Sequence, residues 1–251
     1  MTIDCSFNWP EIGWAAGPCI RPGGPVLTDR ALKICSLPPG SFVADIGCGS
    51  GGTLGHLERT GVYHAVGLDC SEPLLGESVP RLGSGRLVRG MAETLPFKKG
   101  SLDALFCECV LSVLSDKTTA LLEFVRVLRA GGFLILSDVF RQGDLDRVQP
   151  GTKLQDLHAR GLFAKEDLLG FLTRLGFALL LWEEHKKLLK EFVARMILAG
   201  VRLPDPWGCW HGQDKNMTGR PRISYFLLVA RKPEAACKSV KNNGYGEPWT
   251  T

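Results

Sequence analysis

The amino-acid sequence predicts an α/β protein built on a doubly wound, mostly parallel sheet. Three observations carry this. Short apolar segments alternate with helical patterns from residue 41 to residue 137, at the spacing of successive strand–helix units. Leu102–Cys107 is apolar on both faces, as a central strand of a parallel sheet is. A glycine-rich turn, Gly47–Gly52, joins a strand to a helix, and open α/β sheets bind ligands beyond the carboxyl ends of their strands.

The elements follow in order. Residues 1–25 hold Pro10, Pro18, Pro22 and Pro25 with several glycines, which predicts an extended arm. Thr28 is expected to cap a helix running to about Cys35, with Leu27, Ala31, Leu32 and Cys35 on one face. Pro38-Pro39-Gly40 ends it. Ser41–Ile46 reads as the first strand, and Thr53–Thr60 as a helix closed by Gly61. His64–Leu68 is the second strand, ending at Asp69. Ser71 is placed to cap the next helix, with Pro73 tolerated in its first turn. Leu87–Arg89 and Leu102–Cys107 are the third and fourth strands. Thr118–Leu128 reads as an amphipathic helix with Leu121, Leu122, Val125 and Leu128 on one side. Ala130-Gly131-Gly132 turns into the fifth strand, Phe133–Ser137.

The pattern changes after Asp138. Arg141–Gly161 is polar and irregular. Lys165–Leu175 is helical, aligning Leu168, Leu172 and Leu175, and Phe177–Trp182 reads as a sixth strand. Glu183–Leu198 predicts a long amphipathic helix whose stripe holds Leu188, Leu189, Phe192, Val193, Met196 and Ile197. Val201–Pro221 is a loop, and Ile223–Ala230 the last strand. The expected organisation is an N-terminal arm (1–26), one domain (27–232) with insertions at 139–162 and 199–221, and a polar tail (233–251).

Composition sets bounds on function. The chain has 251 residues, 45% of them hydrophobic, enough for one well-packed domain. Its 30 basic and 26 acidic residues give a net charge of +4, mixed along the chain, which does not argue for a nucleic-acid partner. The N-terminal residues lack a basic region followed by an apolar one, and no apolar run is long enough to span a bilayer. A soluble cytoplasmic protein without stable membrane insertion is expected. None of the nine cysteines forms a Cys-x-x-Cys pair, so no metal site is expected.

The turn Asp45-Ile46-Gly47-Cys48-Gly49-Ser50-Gly51-Gly52 is the main chemical feature. Glycines there let the backbone turn sharply and approach a ligand closely. Taken alone, Gly47, Gly49 and Gly52 also satisfy the dinucleotide pattern G-x-G-x-x-G, so a nicotinamide cofactor stays open. Asp45 favours a ligand ammonium and repels a pyrophosphate. Asp69, closing the second strand, is suited to accept both hydroxyls of one ribose. Further on lie Gly90-Met91-Ala92-Glu93-Thr94-Leu95-Pro96-Phe97 and Ser101-Leu102-Asp103.

This whole run resembles the class I S-adenosylmethionine-dependent methyltransferases, in the branch of the ubiquinone, menaquinone and arsenite methyltransferases. Asp45–Gly51 is similar to the family's first motif, Asp69 to its ribose-binding acid, and Ala92–Phe97 to its adenine-side motif. Glu123–Leu136 (EFVRVLRAGGFLIL) resembles its fifth helix, glycine turn and fifth strand. The resemblance implies a Rossmann-like seven-stranded sheet, mostly parallel with an antiparallel C-terminal strand, and helices on both faces. It implies S-adenosylmethionine as cofactor, with Gly47, Gly49 and Gly51 along its methionine part and Asp45 at its amino group. Asp69 would hold the ribose with Cys70 packed beside it, Met91 and Ala92 would flank the adenine, and Glu108 would sit near the methionine moiety. Met91 departs from the family, which has an aspartate there to accept from the adenine amino group.

The acceptor is expected to be a small molecule. Methyl transfer from a sulfonium is a direct displacement that needs alignment and exclusion of water, and a base only where the acceptor must lose a proton. Glu108, Asp138 and His211 are the catalytic candidates. Cys107 and Cys109 would point the same way if the strand ran through both, but no cysteine arrangement supports a thiol-bound arsenic acceptor. The competing readings are an NAD(P)-dependent oxidoreductase and a non-catalytic S-adenosylmethionine-binding scaffold or partner protein.

Overall fold

The computed structural model describes residues 19–60, 63–142, 162–201 and 222–234. Seven strands form one sheet: β1 (Phe42–Ile46), β2 (His64–Asp69), β3 (Leu87–Arg89), β4 (Leu102–Glu108), β5 (Leu128–Gln142), β6 (Ala178–Glu184) and β7 (Arg222–Arg231). Their spatial order is β3-β2-β1-β4-β5-β7-β6. β1 pairs in parallel with both β2 and β4, so the chain reverses its direction of travel across the sheet at this point. The crevice beyond the carboxyl ends of β1 and β4 is therefore the topological switch point. β7 runs antiparallel to β5 and to β6. The expected mostly parallel, Rossmann-like sheet with an antiparallel C-terminal strand is present.

Among the described residues six α-helices flank the sheet: α1 (Pro25–Cys35), α2 (Gly52–Arg59), α3 (Glu72–Leu82), α4 (Lys117–Val127), α5 (Lys165–Arg174) and α6 (Lys186–Leu198). The strand period of two divides the core into two layers. Ala104 and Phe106 of β4 and Ile135 of β5 pack with Leu27 and Ala31 of α1, Leu54 and Leu57 of α2, and Leu189 and Val193 of α6. Leu105, Cys107, Leu134 and Leu136 face the other way, onto Phe124 and Val127 of α4 and Leu168 and Leu172 of α5. Burial of each such Leu or Phe contributes roughly 1.5–3 kcal/mol.

Several boundaries differ from the sequence expectation. α1 starts at Pro25, not at a Thr28 cap. Proline suits the first helical position, and the Thr28 hydroxyl instead accepts from Arg21. α4 is capped by Asp116, which accepts from the Thr119 N–H at 2.9 Å. Its buried face is Ala120, Leu121, Phe124 and Val127, while Leu122 is 48% exposed. On α6, Ile197 is likewise exposed and Met196 is buried. β6 runs on through Glu183 and Glu184, so α6 begins later than expected.

β5 takes in both the Ala130-Gly131-Gly132 turn and Arg141–Gln142, which the sequence read as irregular. Pairing with β7 from Phe133↔Arg231 to Gln142↔Arg222 accounts for the extension. The glycine turn persists as an irregularity in the β4–β5 register, with Gly131 at φ +71°. Cys107 and Cys109 do not share a face. β4 stops at Glu108, Cys109 takes a left-handed φ of +58°, and the two pack into opposite core layers. Most of the expected insertion after β5, and the loop with His211, lie outside the described residues. No helix among them is long and apolar enough to cross a membrane.

Candidate functional site

The turn after β1 is shaped by contacts that only glycine permits. Gly47 has φ +74°, and a Cβ there would lie 2.1 Å from Val110 Cγ2. Its N–H and that of Cys48 both donate to the Leu68 carbonyl, at 2.7 and 3.0 Å, which anchors the turn to β2. Gly51, before α2, has φ +78°, and a Cβ there would lie 2.4 Å from Leu82 Cδ1. Gly49 is different. A Cβ there would meet only Leu74 Cδ1, at 3.9 Å, so open space lies beside the backbone.

Asp69 closes β2 and holds this turn. Its Oδ2 accepts the Gly49 N–H at 2.8 Å and its Oδ1 accepts the Ser71 N–H at 2.8 Å. Burial raises its pKa above the usual carboxylate value, against the opposing pull of those backbone donors. The Cys70 N–H acts on the same carboxylate, and with three backbone donors engaged the two oxygens still keep unused lone-pair capacity. Ser71 caps α3 as expected, accepting from the Leu74 N–H. Cys70, beside Asp69, is half-buried. The Gly90 N–H donates to the Asp69 carbonyl at 3.0 Å and brings Met91 and Ala92 alongside β2. Met91 is half-buried and Ala92 buried. The following Leu95-Pro96-Phe97 is gripped by α4: Glu123 accepts the Leu95 N–H, and Arg126 donates to the Leu95 and Phe97 carbonyls.

Three carboxylates gather around the switch point. Asp45, on β1, is 3% exposed. Burial first, and then the nearby Glu108, holds its pKa well above the usual range. Glu108 ends β4 and is also buried. Its Oε2 accepts from Thr53 Oγ1 at 2.6 Å and pairs with Arg21 Nε at 3.1 Å. Its Oε1 is buried and has no partner among the described residues. With Asp69, the group opposes three carboxylates to one guanidinium.

Arg21 was not anticipated. The sequence read it as part of an extended arm, yet it is 5% exposed and reaches the centre of the site. It also donates to the Gly24 carbonyl and to the hydroxyls of Thr28 and Thr53. The available signal was its position: a lone arginine just before the Pro22-Gly23-Gly24 turn. Thr53, read only as a helix start, is the second residue missed.

Asp138 is fully buried and held by the fold. It accepts the Ser112 N–H at 2.8 Å and the Val139 N–H at 2.7 Å, which fastens the 3-10 turn Leu111–Val113 to β5. Burial pushes its pKa up to about 6, against the pull of these donors and of Lys117. Nearby, the buried Tyr225 hydroxyl donates to Ser137 Oγ at 3.0 Å and lies 3.1 Å from Cys109 Sγ. Asp45, Gly47, Gly49, Asp69 and Glu108 thus converge on one crevice, while Asp138 stands apart within the structure that supports it. Among the described residues no three His, Cys, Asp or Glu side chains are placed so that they could hold a metal ion together.

Comparison with known proteins agrees with this geometry. Residues 44–136 match the family described as a methyltransferase domain, and this segment spans the glycine turn, Asp69 and Glu108. The match takes in a little over a third of the chain, and the seven-stranded sheet around it has the fold of Rossmann-like methyltransferases. An uncharacterized methyltransferase of Synechocystis is 33% identical over 115 residues, covering 44% of this chain and 52% of that protein. The mouse (Mus musculus) 18S rRNA (guanine-N(7))-methyltransferase is 40% identical over 80 residues, covering 31% of this chain and 28% of that protein. The chain therefore spans about half or less of these relatives. The crystal structure of the cyclase SpnF superposes with a TM-score of 0.70 at 23% identity, covering 90% of this chain and 93% of that one. That likeness is one of fold.

Proposed function

We propose that this chain transfers a methyl group from S-adenosylmethionine to a small-molecule acceptor. The observation that carries the reading is the excess of buried carboxylate at the switch point. Glu108 Oε1 has no partner among the described residues and Asp45 is buried close to it, so the crevice is short of donors and of positive charge. The amino group and sulfonium of S-adenosylmethionine supply both. A pyrophosphate would bring negative charge against Asp45 and Glu108, which disfavours the NAD(P) reading.

In this reading Asp45 and Glu108 receive the amino group, and the open side of Gly49 lets the ligand lie against the backbone. Asp69 receives the ribose hydroxyls with its remaining lone pairs. Met91 and Ala92 flank the adenine, Met91 through its polarizable sulfur rather than a hydrogen bond. Cys70 packs beside the ribose, and Gly47 and Gly51 shape the turn. When bound, the sulfonium supplies an already activated methyl group. The protein's task is to align it with the acceptor and exclude water. Asp138 acts through the turn it holds, and His211 remains a candidate base within the 199–221 insertion. The transferase domain is residues 27–232, with Arg21 of the arm completing its pocket.

The mild, mixed charge supports a small acceptor. The test is incubation with methyl-labelled donor and a cell extract, separated into metabolite, RNA and protein fractions. Label in one metabolite is expected. Label in RNA or protein would overturn the acceptor assignment, and donor binding without any labelled product would favour the scaffold reading.

A further inference from the structure

We propose that Arg21 is a positioning residue for the donor pocket, dividing the two oxygens of Glu108 so that Oε2 is tied to the N-terminal segment and Oε1 is presented to the ligand's ammonium group. The inference rests on the donor reading above and adds a residue outside the 44–136 match.

The geometry is a closed triangle. Arg21 Nη2 donates to Thr53 Oγ1 at 3.0 Å, Thr53 Oγ1 donates to Glu108 Oε2 at 2.6 Å, and Arg21 Nε pairs with the same oxygen at 3.1 Å. Both side chains of the ion pair are 4% exposed. Two protein donors therefore converge on one oxygen while its twin, also buried, has none among the described residues. A carboxylate held only by structural partners would satisfy both oxygens, because an orphaned buried acceptor is costly. The asymmetry fixes the rotation of the carboxylate and reserves one oxygen for a donor that comes from outside the protein. Arg21 is itself held against movement. Its Nη1 donates to the Gly24 carbonyl at 2.8 Å and its Nη2 to Thr28 on α1, so the short turn Arg21–Gly24 carries the guanidinium on a braced support.

Calorimetry on the full chain with two nucleosides tests this. S-adenosylhomocysteine carries the amino-acid group, and 5′-methylthioadenosine shares the adenosine and thioether but lacks it. Arg21→Gln should weaken S-adenosylhomocysteine tenfold or more and leave 5′-methylthioadenosine within twofold. In a Glu108→Gln background the same change should add no more than twofold. Equal loss of both nucleosides would mean a merely structural role and overturn the inference, as would unchanged S-adenosylhomocysteine affinity. Additive losses would place Arg21 directly on the ligand and also contradict it. If Arg21→Gln alone does not fold, Arg21→Lys keeps the buried charge but loses the fork that turns the Glu108 carboxylate, and it is measured with the same two nucleosides. A tenfold drop in its preference for S-adenosylhomocysteine supports the inference, and a wild-type preference sinks it. A wild-type chain that binds neither nucleoside would overturn the functional reading itself.

Discussion

The carboxylate of Asp69 accepts the backbone N–H of Gly49 at 2.8 Å, joining the last residue of β2 to the turn that follows β1. One side chain thus holds the loop and faces the crevice that the loop forms. Asp69→Ala removes both functions. Donor affinity measured by calorimetry should fall tenfold or more, since a charged bidentate acceptor is lost. Affinity within twofold of wild type would mean that the ribose is held elsewhere.

Gly49 and Gly51 both take left-handed backbone, but only one is crowded. Gly51→Ala forces a Cβ to 2.4 Å from Leu82 Cδ1 and should cost about 2–4 kcal/mol by urea denaturation. Gly49→Ala meets only Leu74 and should cost about 1–2 kcal/mol, the strain of the backbone alone. Its methyl group would instead fill the open side of the turn and abolish donor binding. Equal stability losses at the two sites would contradict this division.

Asp138 gives the fold a specific dependence on pH. Its pKa lies near 6 in the folded protein and at the ordinary carboxylate value of 3.8 as reference. Between these values the folded state binds the extra proton, so this group stabilises the fold increasingly as pH falls from 7 towards 4. Asp138→Asn cannot titrate. The stability of wild type relative to Asp138→Asn should therefore grow as pH is lowered from 7 to 5, read by urea denaturation at each pH. A gap that grows with rising pH would show that the carboxylate form is the one the fold prefers.

Tyr225 ties β7 to β5 through Ser137 and reaches Cys109 just beyond β4. Tyr225→Phe keeps the packing and removes the hydroxyl, leaving the buried Ser137 Oγ without this donor. A loss of about 1–2 kcal/mol is expected in chemical denaturation. Donor affinity should stay within about twofold, because the hydroxyl contacts protein groups alone. A large affinity loss at unchanged stability would reassign Tyr225 to the binding site.

What the sequence disclosed about this protein follows the range of the forces involved. The turn Gly47–Gly52, the cap at Ser71 and the strand ending at Asp69 depend on neighbours within a few residues, and all were legible. The length of β5 depends on β7, about ninety residues later, and was not. The stripe of α4 was read one residue out of phase, because Leu122 and Phe124 are equally apolar and only packing shows which is buried. Within the site, Asp45, Asp69 and Glu108 stood at motif positions. Arg21 and Thr53 stood at none, and their purpose emerges only when Arg21 packs onto Thr53 of α2 and Glu108 of β4.

The proposed activity requires a crevice built for a nucleoside that carries positive charge. Titrating the full chain by calorimetry with S-adenosylmethionine, and separately with NAD and NADP, tests this most directly. Saturable binding of S-adenosylmethionine, lost in Asp69→Ala, with no heat from either nicotinamide nucleotide, is the predicted result. Saturable binding of NAD or NADP with none of S-adenosylmethionine would contradict it.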